Sequence, residues 1–279
     1  MAERKKIQFL RRWSGLCADL KIGLILVCLI LGMTVASYIV MPFGYNDMDS
    51  SRRFSRPNLT HLFGTDNFGR DIFSRILTGS RYTLLVAICT VAGSAAIGTA
   101  LGLFSGYIGG LGDELIIRSM DALKSFPGIL FALMMVSLLD NHPYTLIIAL
   151  LCLFIPSYVR IMRSGVLQYK HYDFIQLARL WGVSHRRIIF VHILPNLASS
   201  LLSASVLGLS NAILAESTMS YLGLGIQPPI PSWGRMLSES QNFLLIAPWC
   251  ALAPGLMIMI TVLAFHCLGE GIRRQSGLR

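Results

Sequence analysis

The sequence predicts an all-α fold: a polytopic transmembrane helical bundle of six spans. Three observations carry the prediction of a membrane bundle. Of 279 residues, 54% are hydrophobic and 14% charged, whereas a soluble domain carries about a quarter charged residues. Five runs contain no Asp, Glu, Lys or Arg: Ile22–Met41, Tyr82–Phe104, Pro143–Val159, Ile193–Ala215 and Phe243–Gly269. Each reaches the ~17 residues that a spanning helix needs at minimum. The basic residues, finally, collect in alternate connecting segments, as membrane topology requires.

Taken in order, residues 1–21 are a basic lead-in with Arg4, Lys5, Lys6, Arg11, Arg12 and Lys21. The apolar run behind them is longer than the ~7–15 residues of a signal-peptide core, and no small-residue cleavage site follows. Residues 22–41 are therefore read as the first span. An outer segment, 42–81, follows. Within it Phe68, Ile72 and Ile76 recur at helical spacing with Phe73 and Leu77 beside them. This predicts an amphipathic surface helix capped by Asp66, with Arg70, Asp71 and Arg75 facing water.

Residues 82–272 hold the remaining spans. The second carries Ser94, Gly98, Gly102 and Gly106 at intervals of four, a small-residue stripe that lets another helix approach closely. A fainter stripe, Ala204, Gly208 and Ala212, lies in the fifth. A turn at Gly106–Gly112 leads to the third span, where Phe126–Leu139 alone is short. It becomes long enough if its helix begins near Leu115 and turns Arg118, Asp121 and Lys124 to a protein-facing side.

The segment Arg160–Leu194 is the longest inner loop. Asp173 is placed to cap a short helix, with Gln176 in the capping-box position, and Gly182 to end it in the left-handed conformation. Phe174, Leu177, Ala178 and Trp181 share one stripe of that helix. So short a helix is not stable by itself in water, so it needs a partner surface, either a second protein or its own bundle. Ser184 is placed to cap a further helix running to Pro195. On the outer side, Tyr221–Asn242 is dense in Gly and Pro and reads as a rigid turn, with Trp233 as an interfacial anchor. Residues 273–279 form a short tail.

Six crossings put both termini on one side. The segments on that side hold six, two, six and three Lys or Arg, 17 of the 24 in the chain. Acidic residues divide seven and seven, so the whole net charge of +10 falls on that side, which is the cytoplasmic one. This distribution accounts for the basic balance without nucleic acid. Cys28, Cys89, Cys152, Cys250 and Cys267 lie in apolar runs as small buried hydrophobes. Met134, Met135, Met257, Met259 and His266 read as packing, and the six histidines form no metal-binding motif. No carboxylate pair or nucleophile–base arrangement marks an enzyme. No GxxxxGK[ST] sequence is present, so the chain does not bind ATP as such a subunit would. A secondary, ion-coupled transporter is the alternative class, but its usual mid-membrane charges and repeats are missing outside the third span.

Four stretches then resemble the bacterial binding-protein-dependent ABC permeases, in the dipeptide/oligopeptide/nickel branch and its C-type subunit. Asp173–Asn196, DFIQLARLWGVSHRRIIFVHILPN, resembles the EAA loop, with Gln176, Leu177 and Ala178 at the EAA positions, Gly182 as loop glycine, and His192, Leu194, Pro195 and Asn196 closing it. Gln176 and Leu177 depart from the Glu and Ala of the pattern. His61–Arg75 resembles HxxGTDxxGRDxxSR through Gly64, Thr65, Asp66, Gly69, Arg70 and Asp71. Gly106–Asp121 with Phe126–Pro127 resembles GYxGGxxDxxxxRxxD…FP. Glu216–Leu237 resembles ExxxSFLGLGxxPPxPxWGxML, with Glu216, Trp233 and Gly234 in place and Tyr221 where Phe is usual. The usual LRDxLDP ending is absent.

The resemblance implies the fold of a type I ABC importer permease and a non-catalytic pathway subunit in a bacterial cell (inner or plasma) membrane, paired with a second permease. It implies two cytoplasmic ATPases, which hold ATP and Mg and receive the loop 168–196, and an extracytoplasmic binding protein that delivers solute. Asp173, Phe174, Gln176, Leu177, Ala178, Trp181, Gly182, His192 and Pro195 are the implied coupling residues. No cofactor or metal is expected on this chain. The substrate stays open between di- or oligopeptides and nickel or metal chelates.

Overall fold

A computed structural model of the chain describes residues 17–139 and 143–276. Most of the basic lead-in and the last residues of the tail lie outside the described residues. Nine helices of at least eight residues are found among the described ones: α1 (Ala18–Ala36), α2 (Ile72–Ile108), α3 (Gly110–Ser125), α4 (Gly128–Leu138), α5 (Pro143–Tyr169), α6 (Asp173–Leu180), α7 (His185–Tyr221), α8 (Trp233–Ser240) and α9 (Trp249–Gln275). Five are long and apolar enough to cross a membrane, or six if α3 and α4, which meet at a sharp bend, count together as one broken span.

The central pair is α2 on α5, joined by the small-residue stripe. A Cβ on Gly102 would lie 2.7 Å from both the Met162 Cβ and the Val159 carbonyl oxygen, and one on Gly106 would lie 2.9 Å from the Val166 Cβ. The Ser94 hydroxyl donates to the Leu151 carbonyl at 3.1 Å. Gly208 of the fainter stripe faces the Tyr158 hydroxyl, and Ala212 is fully buried. Around this pair α7, α9 and α1 pack in turn. Val27, Leu84, Val91, Ile213 and Phe265 bring four of these helices into one apolar core. Asp19 near the start of α1 pairs with Arg274 near the end of α9 at 2.6 Å, so these two ends share one side of the bundle.

Several expectations are corrected. The first span begins a turn earlier than 22–41 and stops at Ala36. Arg81 donates from Nε to the Ser37 hydroxyl at 2.7 Å, also bonds the Ser37 carbonyl, and stacks over the Tyr38 ring. No separate surface helix exists in the outer segment; Ile72–Leu77 is the first part of α2. Asp71 caps it, accepting from the Ser74 N–H at 2.8 Å, in place of Asp66. Arg70, Asp71 and Arg75 are buried because they find partners inside, described below.

The turn predicted at Gly106–Gly112 narrows to Gly109 and Gly110, both at positive φ. The third span is not one helix. Phe126 precedes Pro127, which bars it from the helical region, and its backbone is extended, so α3 and α4 meet at 89°. Arg118, Asp121 and Lys124 are exposed on this chain, not turned towards its interior. The helix after Ser184 does not end at Pro195. A π-helical stretch, Ile188–Ile193, absorbs the missing proline N–H through a wider turn, the Leu194 N–H reaching the Ile189 carbonyl, and α7 runs on to Tyr221. The last span starts at Trp249, because Gln241–Phe243 forms a 3₁₀ turn that keeps the preceding residues outside it.

Candidate functional site

Two regions gather the residues singled out by the sequence, one at each end of the bundle. At the end shared by Asp19 and Arg274, α5 leads through Lys170–Tyr172 into α6. The cap at its start is Tyr172 and not Asp173, which is the first helical residue and makes no capping bond. Gln176 does not close a capping box either; its side-chain amide donates to the His171 carbonyl at 3.1 Å. The other end of α6 is as expected. Gly182 sits at φ +75°, the Gly182 N–H donates to the Arg179 carbonyl and the Val183 N–H to that of Ala178, both at 3.0 Å. This is a Schellman closure, which turns the chain sharply and suits a residue without Cβ.

Two apolar faces lie on α6. Ile175 is fully buried among Leu103, Met162, Val166, Ile188 and Ile193, with Ala178 half-buried beside it. That contact pins the helix to the bundle. Phe174, Leu177, Leu180 and Trp181 face out, Leu180 at 81% and Trp181 at 86% exposure. So the helix both folds back on its bundle and leaves an apolar surface free. Tyr107, near the inner end of α2, joins the loop: its hydroxyl lies 2.7 Å from the His185 Nδ1, and the Arg179 guanidinium stands 5.2 Å over its ring. His192 is half-buried in the π stretch, its carbonyl accepting from the Asn196 amide at 2.6 Å, and Pro195 is exposed.

At the opposite end the second motif forms a knot. Gly69 has φ +77°, and a Cβ there would collide with the Asp49 carbonyl; Gly64 fits against Trp249 and Ser55. Thr65 is buried; its hydroxyl accepts from the Ser55 N–H at 2.9 Å and donates to the Arg52 carbonyl. Asp66 Oδ1 accepts from the Phe68 and Arg70 N–H groups at 2.8 and 3.0 Å, and its Oδ2 from Arg70 Nε at 2.6 Å. Glu239 of α8 accepts from Arg70 at 3.1 Å and Arg75 at 3.0 Å. Asp71 also lies 2.9 Å from the His61 Nδ1. Asp66 and Glu239 thus pair with Arg70 and Arg75 within the protein, the condition on which buried charge is tolerated.

The fourth motif closes over this knot. Trp233 is fully buried, not an interfacial anchor, and its indole N–H donates to the Ile76 carbonyl at 3.1 Å. Gly234 abuts the Ser217 backbone, where a Cβ would collide. Glu216 is fully buried in α7 and accepts from the Ser220 hydroxyl at 2.7 Å and from the Ser217 hydroxyl at 3.4 Å. Sequence reading missed Glu239, Tyr107 and His185, whose partners lie far along the chain and leave no local signal. It also missed Ile175 and Leu180, although DFIQLARL shows apolar residues on two sides of a helix. Among the described residues no group of three His, Cys, Asp or Glu is placed to hold a metal.

The fold and these two ends define a polytopic helical membrane subunit with an exposed apolar helix on one side and an ion-paired, ordered cap on the other. Residues 98–275 match the family model described as binding-protein-dependent transport system inner membrane component. The chain is 39% identical over 252 residues to the dipeptide transport system permease protein DppC of Alkalihalophilus pseudofirmus, covering 90% of this chain and 83% of that protein. It is 38% identical over 266 residues to the glutathione transport system permease protein GsiD of Pectobacterium atrosepticum, covering 95% and 88%. With GsiD of Escherichia coli O157:H7 it shares 40% over 267 residues, 95% of this chain and 86% of that protein. The chain belongs to the binding-protein-dependent permease family. It is a multi-pass membrane protein and a permease subunit of an ATP-binding cassette importer, a system that works with an ATPase and a binding protein. The ion-coupled alternative is set aside.

Proposed function

We propose that this permease conducts small peptides, di- to oligopeptides, across a bacterial inner membrane. The observation that carries the reading is the identity of 38–40% to dipeptide and glutathione permeases over at least 90% of the chain. The pathway is shared with a second, related permease. Two cytoplasmic ATPases, which hold ATP and Mg, receive the outward face of α6, and the chain itself catalyses nothing. A binding protein docks on the opposite end. Both termini are cytoplasmic, which is supported by the unequal Lys and Arg distribution and by the Asp19–Arg274 pair at the end that carries α6. In vesicles holding the complete transporter, uptake of a labelled dipeptide is expected to need ATP and the binding protein, and to survive collapse of the proton gradient. Uptake of nickel with no uptake of peptide overturns the reading.

Coupling through α6 makes Gly182 sensitive. Nothing lies within 4 Å of a Cβ there, so Gly182→Val meets only the strain of φ +75°, ~1–2 kcal/mol for a residue with a Cβ. The variant is expected to reach the membrane at the normal level while ATPase co-purification weakens and uptake falls several-fold. Normal co-purification and uptake contradict the assignment.

A further inference from the structure

The helix α3 has a face that the docking and cap regions do not use. Ile116, Ile117, Met120 and Leu123 pack it on α5 through Ile155 and Val159. On the other side Arg118 pairs with Glu114 and Asp121 with Arg160, both at 2.5 Å, and every one of these side chains is 46–76% exposed. Lys124 is exposed beside them.

Depth decides what this face can meet. Asp113 binds Arg163 of α5 at 2.6 Å, and Gly128, just past the bend, abuts Leu153. Asp121 and Lys124 therefore run beside the middle of α5, between those two levels. The 27 residues of α5 span ~40 Å, more than the ~30 Å of the hydrocarbon layer. Arg160, nine residues before Tyr169, sits ~14 Å in from the inner helix end. Met120 and Leu123 pack with Ile155 and Val159 of the charge-free run 143–159, so α3 as far as Lys124 lies beside the inner part of the apolar layer, with Arg160 at its inner edge, and half-exposed ionised groups there face water or protein and not acyl chains.

We propose that the Arg118, Asp121, Lys124 and Arg160 face lines the aqueous passage between this chain and its partner permease, and that its alternating signs receive the two opposite charges of a zwitterionic peptide in transit. Charges of both signs at one depth suit a ligand that carries both an ammonium and a carboxylate. A passage for a simple cation would need acidic groups alone. The substrate part of this inference rests on the peptide reading above; the position of the face does not.

The complete transporter tests both parts. Arg118→Cys and Lys124→Cys, in a chain without its native cysteines, are labelled with a charged, membrane-impermeant thiol reagent from the cytoplasmic side. Both positions are expected to label at rest and at least about tenfold more slowly after arrest with ATP and vanadate. No labelling in either state, or equal labelling in both, overturns the passage. Asp121→Asn and Lys124→Gln are then expected to cut dipeptide uptake about tenfold while binding-protein-stimulated ATP hydrolysis stays within about twofold. Unchanged uptake in both overturns the substrate role, as does loss of hydrolysis in parallel with uptake, which marks a structural effect. If the unmodified transporter takes up no peptide yet shows the protection pattern, the peptide reading fails and the passage stands.

Discussion

Trp181→Asp is expected to abolish uptake while leaving the permease folded and in the membrane. The indole is 86% exposed on the residue just before the Gly182 turn, with Leu180 beside it at 81%. Nothing inside the bundle depends on it. If α6 seats in an ATPase groove, this ring is its largest anchor, and truncating an aromatic anchor costs at least ~2 kcal/mol, or ~30-fold in affinity. A carboxylate in the same place adds an unpaired buried charge. Leu177→Asp, 56% exposed on the same face, should act alike. Co-purification of the ATPases, set against membrane abundance, is the measurement. Retention of the ATPases by both variants at the normal ratio would show that this face is not the docking surface.

Trp233→Ala is expected to produce the largest loss of stability. The side chain is fully buried and ties the start of α8 to α2 through the Ile76 carbonyl. Removing a buried tryptophan costs ~3–5 kcal/mol, and the Gly79 and Ile76 region of α2 would lose its cover. Trp233→Phe keeps most of the bulk and drops one hydrogen bond, a net ~1 kcal/mol. Thermal unfolding of the two purified variants in detergent should therefore separate them clearly, with alanine far below phenylalanine. Equal midpoints would mean that the indole does not hold the cap.

The architecture was legible because lipid imposes a simple code. Runs free of charge had to cross, and the glycine stripe at Gly98, Gly102 and Gly106 had to face a close neighbour. Gly182 was readable for the same local reason, since one residue type suits one backbone conformation. What escaped were features fixed by distant partners. Arg70 and Arg75 looked solvated because their partner Glu239 lies more than 160 residues away. Trp233 looked interfacial because tryptophan often is, and only tertiary packing shows it enclosed. The break at Phe126–Pro127 was visible as a proline, but the length needed for a span argued for a straight helix. The charges of α3 were assigned to a protein-facing side, whereas on the single chain they remain open.

The unbroken length of α2 has a mechanical corollary. Its 37 residues, without a proline, run from the Asp71 cap to Tyr107 beside the α6 loop, a rod of ~55 Å. Such a rod does not compress or fold locally without loss of helical hydrogen bonds, so a push at one end arrives at the other as rotation of the whole. Tilting it by about 5° about its inner end carries the outer end ~5 Å sideways, given that length. At that outer end Arg75 and the Ile76 carbonyl grip Glu239 and Trp233. The cap is thus geared to the α6 loop by a single lever arm, and angular play of a few degrees at one face becomes a displacement of ångströms at the other.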